Sequence, residues 1–406
     1  MKSLHVWPCK DIDFSWTDVG YAVRMCLSIF PERRQKAELP IQTNGNSLFC
    51  LSVRAAFDLY LNARSLEDGD ECIFVGVNVP DMIRIAESHR LRVCGVDIDP
   101  ITTELDLPQL ESNINPRTRF VVVPHLFGHR LALRPVLELA SRYDLDVIED
   151  CAQAFAGKCW WGTQGVTLSL FSFGPMKTAT ALQGSVAIVR NPDLYESMKR
   201  KLSSYPVQST WRYFLRIVRF VALKIATQPS VYGVLIRVMR VLGINHENVV
   251  HAFTKSASVS SFQQWLHTQP CASLKRVIEW KVNHSDADIE LRISKGSSLH
   301  ETIGEGVPLV LRDQRPNMFW MVPVLVDNPD SLKNALRNNG FDAVSGRLVT
   351  VNCEETKGAK RLSSAVMLPF SPQMSDKDLQ RIGIVTTKYH AGSTNSVEFD
   401  SRDLSN

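Results

Sequence analysis

The chain has 406 residues, enough for two domains rather than one simple core. Its apolar and charged fractions, 44% and 22%, are those of an ordinary globular protein. A formal net charge of +4 is small for this size and by itself supports neither a nucleic-acid coat nor a strongly acidic substrate groove.

Nine cysteines are scattered along the chain, an odd count with no Cys-x-x-Cys pair. They read as buried thiols in a reducing compartment, not as a disulfide framework or a zinc site. The first residues, Met1 to Trp7, hold no apolar stretch long enough for a secretory signal, and no run of about 18 uncharged apolar residues suggests a spanning helix. A cytoplasmic protein is the expectation.

In chain order, residues 1–40 show weak periodicity and end in the polar stretch Pro31 to Lys36, which reads as an N-terminal arm. From about Thr43, short β-branched runs alternate with amphipathic helices. The predicted strands are Cys72 to Val77, Arg92 to Asp97, Arg119 to Val123, Asp146 to Asp150, Leu168 to Phe173 and Ser185 to Val189. Pro80 suits a first helical position, followed by Met82, Ile85, Ala86 and His89 on one face; Leu133, Val136, Leu137 and Ala140 repeat the pattern. Such alternation predicts an α/β domain with a mainly parallel mixed sheet and helices on both faces, and ligands bind such sheets beyond the carboxyl ends of the strands.

Residues 211–243 differ in kind. They form an apolar helical pair with Arg212, Arg216 and Arg219 along one side and Arg237 and Arg240 after Pro229, and no acidic residue occurs among them. This basic insert, spanning about 205–250, suits either the surface of an anionic membrane or a partner subunit. Beyond it, Leu274 to Val282, Ser331 to Asn338 and Asp376 to Tyr389 read as helices and Trp320 to Val326 as a strand. The resulting division is an arm (1–40), a large α/β domain (41–258), a smaller α+β domain (259–390) and a flexible tail (391–406).

Two residues carry the chemistry. The strand Val147 to Asp150 ends in an acid, and the next strand runs through Phe173 into Gly174-Pro175-Met176-Lys177. At successive strand ends, Asp150 and Lys177 would face one crevice. Pyridoxal enzymes need that pair: an amine to form the Schiff base and a carboxylate against the pyridine nitrogen. Taken singly, Asp150 reads as a helix cap and Lys177 as a solvated surface charge. His125 and His129, four apart but separated by Gly128, do not make a metal site.

In combination, Ile148-Glu149-Asp150-Cys151-Ala152-Gln153 and Phe171-Ser172-Phe173 with Lys177 four positions on resemble the DegT-type family of pyridoxal-phosphate aminotransferases, of the aspartate aminotransferase-like fold type I. His125 to Gly128 and Val96 to Asp99 match further loops of that family. The resemblance implies pyridoxal 5'-phosphate held as an internal aldimine on Lys177, with Asp150 on the ring nitrogen, Gln153 near the ring hydroxyl and Ser172 on the phosphate. It also implies a phosphate cradle at the turn Leu51 to Phe57, through Ser52, Arg54 and Ala55. There Val53 and Arg54 replace the family's Gly and Thr, and an arginine can grip phosphate in bidentate fashion. The family's ring-stacking aromatic has no counterpart between Val75 and Pro80, its Glu-Gly-Gly turn reads Gln183-Gly184-Ser185, and the asparagine lent by a neighbouring subunit has no obvious match. The function implied is amino transfer, from glutamate to a keto group of a nucleotide-linked sugar or related substrate, in a homodimer. A dehydratase of the same family, usually with histidine in place of the lysine, and a non-catalytic membrane- or partner-binding homologue are the alternatives.

Overall fold

The computed structural model describes residues 5–27, 37–40, 46–243, 262–346, 348–351 and 355–392. The polar stretch at 31–36, the domain boundary near 259 and nearly all of the tail lie outside the described residues.

The region read as an arm carries a helix, α1 (Trp16–Cys26), that its weak periodicity did not announce. Ser15 accepts from the Asp18 N–H while the Asp18 carboxylate accepts from the Ser15 N–H, a capping box spelled out in the sequence. Asp18 also pairs with Lys281 at 2.7 Å, binding this segment to the helix Ala272–His284.

The main sheet is built from β1 (Asn46–Cys50), β2 (Glu71–Val75), β4 (Arg92–Val96), β5 (Thr118–Pro124), β6 (Asp146–Asp150), β7 (Leu168–Ser172) and β8 (Ser185–Val189), in the order β1-β8-β7-β6-β5-β2-β4. Only β8 runs against the rest, so the sheet is mixed and mainly parallel. Its central strands are apolar on both faces because helices cover both. On one face lie α2 (Val53–Ala63) and α3 (Pro80–Ser88), packed through Phe57, Tyr60, Met82 and Ile85; α5 (Arg134–Arg142) covers the other with Val136, Leu139 and Ala140. The remaining helices of this part are α4 (Leu107–Asn113), α6 (Pro192–Ser203) and the insert pair α7 (Thr210–Ala226) and α8 (Pro229–Val241).

The C-terminal part centres on the antiparallel sheet β10 (Val344–Ser345), β12 (Val366–Leu368) and β9 (Val322–Val324). The strand expected over 320–326 is thus short. The helices Pro329–Asn338 and Asp376–His390 enclose a separate apolar core. A two-stranded ribbon of β3 (Val77–Asn78) with β11 (Val349–Thr350) joins the two parts beside the carboxyl ends of the main strands.

Candidate active site

In the parallel pair β6 and β7, Asp150 faces Leu170 across the register, and both strands release their chains at one edge of the sheet. Side chains alternate along a strand, so Glu149 and Asp150 point to opposite faces. Asp150 lines a cavity of ≈ 240 Å³ at that edge. The loop leaving β7 places Lys177 in the same cavity, and α2 contributes Ser52 and Arg54 at its start. Gln153 and Ser172 complete the expected group. Widely separated stretches thus converge because each follows a strand end or opens a helix.

Ala55, expected in the cradle, is not among the residues lining the cavity. It is buried in the core, and its N–H is donated to the Ser52 hydroxyl at 3.1 Å, capping α2. Arg54 does line the cavity, but its guanidinium is already ion-paired with Asp81 and lies 5.1 Å over the Trp265 ring. Gln153 is oriented by the Phe127 N–H, which donates to its Oε1 at 2.9 Å. Ser172 accepts a long bond, 3.4 Å, from the Gly174 N–H.

Burial sets the electrostatics. It holds the Lys177 amine down at about 8, with the Asp150 charge opposing and the Arg54 charge assisting. The Asp150 carboxyl is pushed above its ordinary range by burial, against a 2.9 Å bond from the Ala152 N–H and the nearby Lys177 and His125. An amine that loses its proton near neutrality and a carboxyl that can hold one suit proton transfer.

Beneath this floor, Glu149 is fully buried and accepts from His125 Nε2 at 2.8 Å, the Thr163 hydroxyl at 2.6 Å and the Ser169 hydroxyl at 2.7 Å. Burial raises its pKa, but these bonds prevail and hold it at about 2. The Leu131 N–H donates to His125 Nδ1 at 2.9 Å, so the proton assigned to this ring sits on Nε2. His125, Glu149 and Cys151 lie close enough to hold a metal ion, yet this network already engages the first two. His129 turns away, towards the Pro316 carbonyl at 3.2 Å. Asp97, matched to a family loop, accepts from the Gly358 and Ala359 N–H groups and fastens the C-terminal part to the sheet.

Several lining residues had no signal in the sequence. Asn78 is buried in the cavity wall with its Nδ2 unpartnered, and Val79 and Met82 stand beside it. Trp265 adds an aromatic from a helix far down the chain. Trp320 lies 4.3 Å from Lys177 Nζ, with Lys10 Nζ 3.2 Å from its ring centroid. Both the Trp320 indole N–H and Lys10 donate to the Met176 carbonyl, at 2.9 and 3.2 Å, fixing the residue before Lys177. A second, largely apolar cavity of ≈ 380 Å³ meets the first at Val79, Gln153, Met176, Lys177 and Leu348.

The insert arginines do not share surroundings. Arg212 and Arg219 are exposed, whereas Arg216 is turned into the cavity wall. The outer faces of α7 and α8 carry Trp211, Leu215, Val218 and Ile225, then Val231, Val234, Val238 and Val241, all exposed. Among the described residues no helix is long and apolar enough to cross a membrane.

Comparison with known proteins adds to this geometry. Residues 44–224 match the model of the DegT/DnrJ/EryC1/StrS aminotransferase family. GDP-perosamine synthase from Caulobacter vibrioides is 34% identical over 183 residues, covering 43% of this chain and 47% of that one. GDP-perosamine synthase from Escherichia coli O157:H7 is 34% identical over 149 residues, 35% of this chain and 39% of that one. The matched segment therefore spans less than half the length of these curated relatives. The solved structure of Helicobacter pylori PseC, an aminotransferase involved in the biosynthesis of pseudoaminic acid, has a TM-score of 0.67 at 13% identity. It covers 95% of this chain, and 100% of that chain is covered. The chain has the type-I fold of pyridoxal-phosphate aminotransferases.

Proposed function

We propose that this chain, whose residues 44–224 match the model of the DegT/DnrJ/EryC1/StrS aminotransferase family, is a pyridoxal-phosphate-dependent aminotransferase acting on a keto group of a nucleotide-linked sugar or related substrate, with glutamate as donor. One observation carries it: Lys177 and Asp150 share a cavity at the carboxyl edge of the sheet, beside the serine-capped start of α2.

The residues present fit the cofactor. The cavity offers an amine poised to lose its proton, a buried carboxyl, a helix N-terminus for an anion and the unpartnered Asn78 Nδ2 in its wall. When bound, pyridoxal phosphate supplies an aldehyde that captures amines and a ring that spreads negative charge. Lys177 would hold it and then, displaced by the donor, move a proton through Nζ. Asp150 would keep a proton at the ring nitrogen. Gln153, fixed by the Phe127 N–H, would orient the ring hydroxyl, while Ser52 and Ser172 would take the phosphate. Arg54, paired with Asp81, would add positive charge there. Val79, Met82 and Trp265 offer apolar surface to the ring in place of an aromatic after β2.

The adjoining cavity has room for a keto substrate beyond Lys177, with Lys10, Thr227, Tyr232, Asp342 and Ser345 among its polar groups. The presence of Lys177 weighs against a family dehydratase. We place the activity in the cytoplasm, in a homodimer. The outer face of α7 and α8, apolar at three- and four-residue spacing, flanked by Arg212 and Arg219 and without acidic residues, suits peripheral contact with an anionic bilayer.

The test is a half-reaction. Cofactor-loaded protein given glutamate should release about one 2-oxoglutarate per site, as transamination requires, and Lys177→Ala should release none. A loaded wild-type protein that leaves glutamate unchanged would contradict amino transfer.

A further inference from the structure

Helix α7 reaches the site from outside the strand framework. Just before it, Gln208 Nε2 donates to Gln183 Oε1 at 3.0 Å, and from its inner face the Tyr213 hydroxyl donates to the Ala181 carbonyl at 3.0 Å. One turn on, Arg216 Nε donates to the Leu182 carbonyl at 2.7 Å, and the side chain lines the cavity shared by Ser52, Arg54 and Ser172. Among the described residues, no carboxylate lies within ion-pair distance of Arg216, whereas Arg54 is ion-paired with Asp81. Burial lowers its pKa to about 10, and the charges of Arg219 and Arg54 act in the same direction. A half-buried guanidinium without a counter-ion costs free energy, and an anion in the cavity before it would offset that cost. The neighbouring start of α2 favours an anion at the same end of the cavity.

We propose that Arg216 is the counter-ion of the cofactor's phosphate ester, so that the insert helix completes the phosphate cradle from within the same chain. The inference rests on the cofactor reading above and goes beyond it by giving α7 a binding role. The phosphate would receive N–H donors from the guanidinium edge not used by Leu182, a charge-assisted contact to a dianion. Its loss should weaken pyridoxal phosphate and leave unphosphorylated pyridoxal nearly unaffected.

The experiment measures the affinity of the apo form of the full chain for both aldehydes in wild type, Arg216→Gln and Arg216→Lys, with thermal melting to check folding. Glutamine can still donate to the Leu182 carbonyl but carries no charge; lysine keeps the charge. Arg216→Gln should bind pyridoxal phosphate roughly 10- to 100-fold more weakly. Its pyridoxal affinity should change by less than about 3-fold, within the scatter of a lost surface-type contact, and Arg216→Lys should recover much of the loss. Equal weakening for both aldehydes would make Arg216 a structural residue and overturn the proposal. So would unchanged phosphate affinity in Arg216→Gln, including the case where only the Michaelis constant for glutamate rises. A wild-type protein that captures neither aldehyde would remove the cofactor reading itself, a separate result.

Discussion

A lysine amine is charged at neutral pH unless its surroundings make the proton costly, and around Lys177 burial does so. With its pKa at about 8, the amine becomes a nucleophile as pH rises through about 8 rather than through the usual lysine range. The rate at which the apo form captures pyridoxal phosphate should therefore climb between pH 7 and 9 and then level off. A rate still rising steeply above pH 10 would mean an amine no different from one in water. Asp150→Asn should fold normally and take up cofactor, yet lose roughly 10²- to 10⁴-fold in turnover, because the amide cannot keep the ring nitrogen protonated; steady-state kinetics beside a melting curve would check this.

At the scale of elements, the site is held by networks that do no chemistry. Glu149 fastens β6 to β7 and to the loop bearing Thr163. Its folded-state pKa of about 2 lies below its ordinary value, so its contribution is fully present above about 4.5 and is lost as pH falls towards 2. Glu149→Gln should cost about 3 kcal/mol at pH 7. Urea denaturation at pH 7 and pH 3 should also find the variant less acid-sensitive than wild type; equal sensitivity would place the acid response elsewhere. Tyr213→Phe removes the clamp of α7 on the Ala181 carbonyl. It should lower stability by roughly 1–2 kcal/mol and speed amide exchange through 178–184. Unchanged exchange there would mean that α7 does not hold the loop.

Over the whole molecule, what could be read in the sequence is what local pattern writes. Asp150 and Lys177 follow strand ends that periodicity marks, whereas Ser172 and Ser52 were reached only through the family resemblance. Ala55 lies outside the cavity lining, its N–H bonded to the Ser52 hydroxyl that caps the same turn. Arg216, Trp265, Trp320 and Asn78 could not be read, since their place depends on which distant segments pack at the carboxyl edge. The helix α1 could have been found from Ser15 and Asp18, but weak periodicity hid it. The α7–α8 face raises a question only the whole protein answers. Full-length protein should float with vesicles containing anionic lipid, and Leu215→Glu with Val218→Glu should abolish flotation without changing turnover; wild type that stays in the soluble fraction would remove the membrane contact. The most direct test of the account is mass spectrometry of the peptide containing Lys177 after borohydride treatment of cofactor-loaded protein. Reduced pyridoxyl phosphate should appear on Lys177 and on no other lysine. Label on Lys10 or a surface lysine, with Lys177 unmodified, would contradict it.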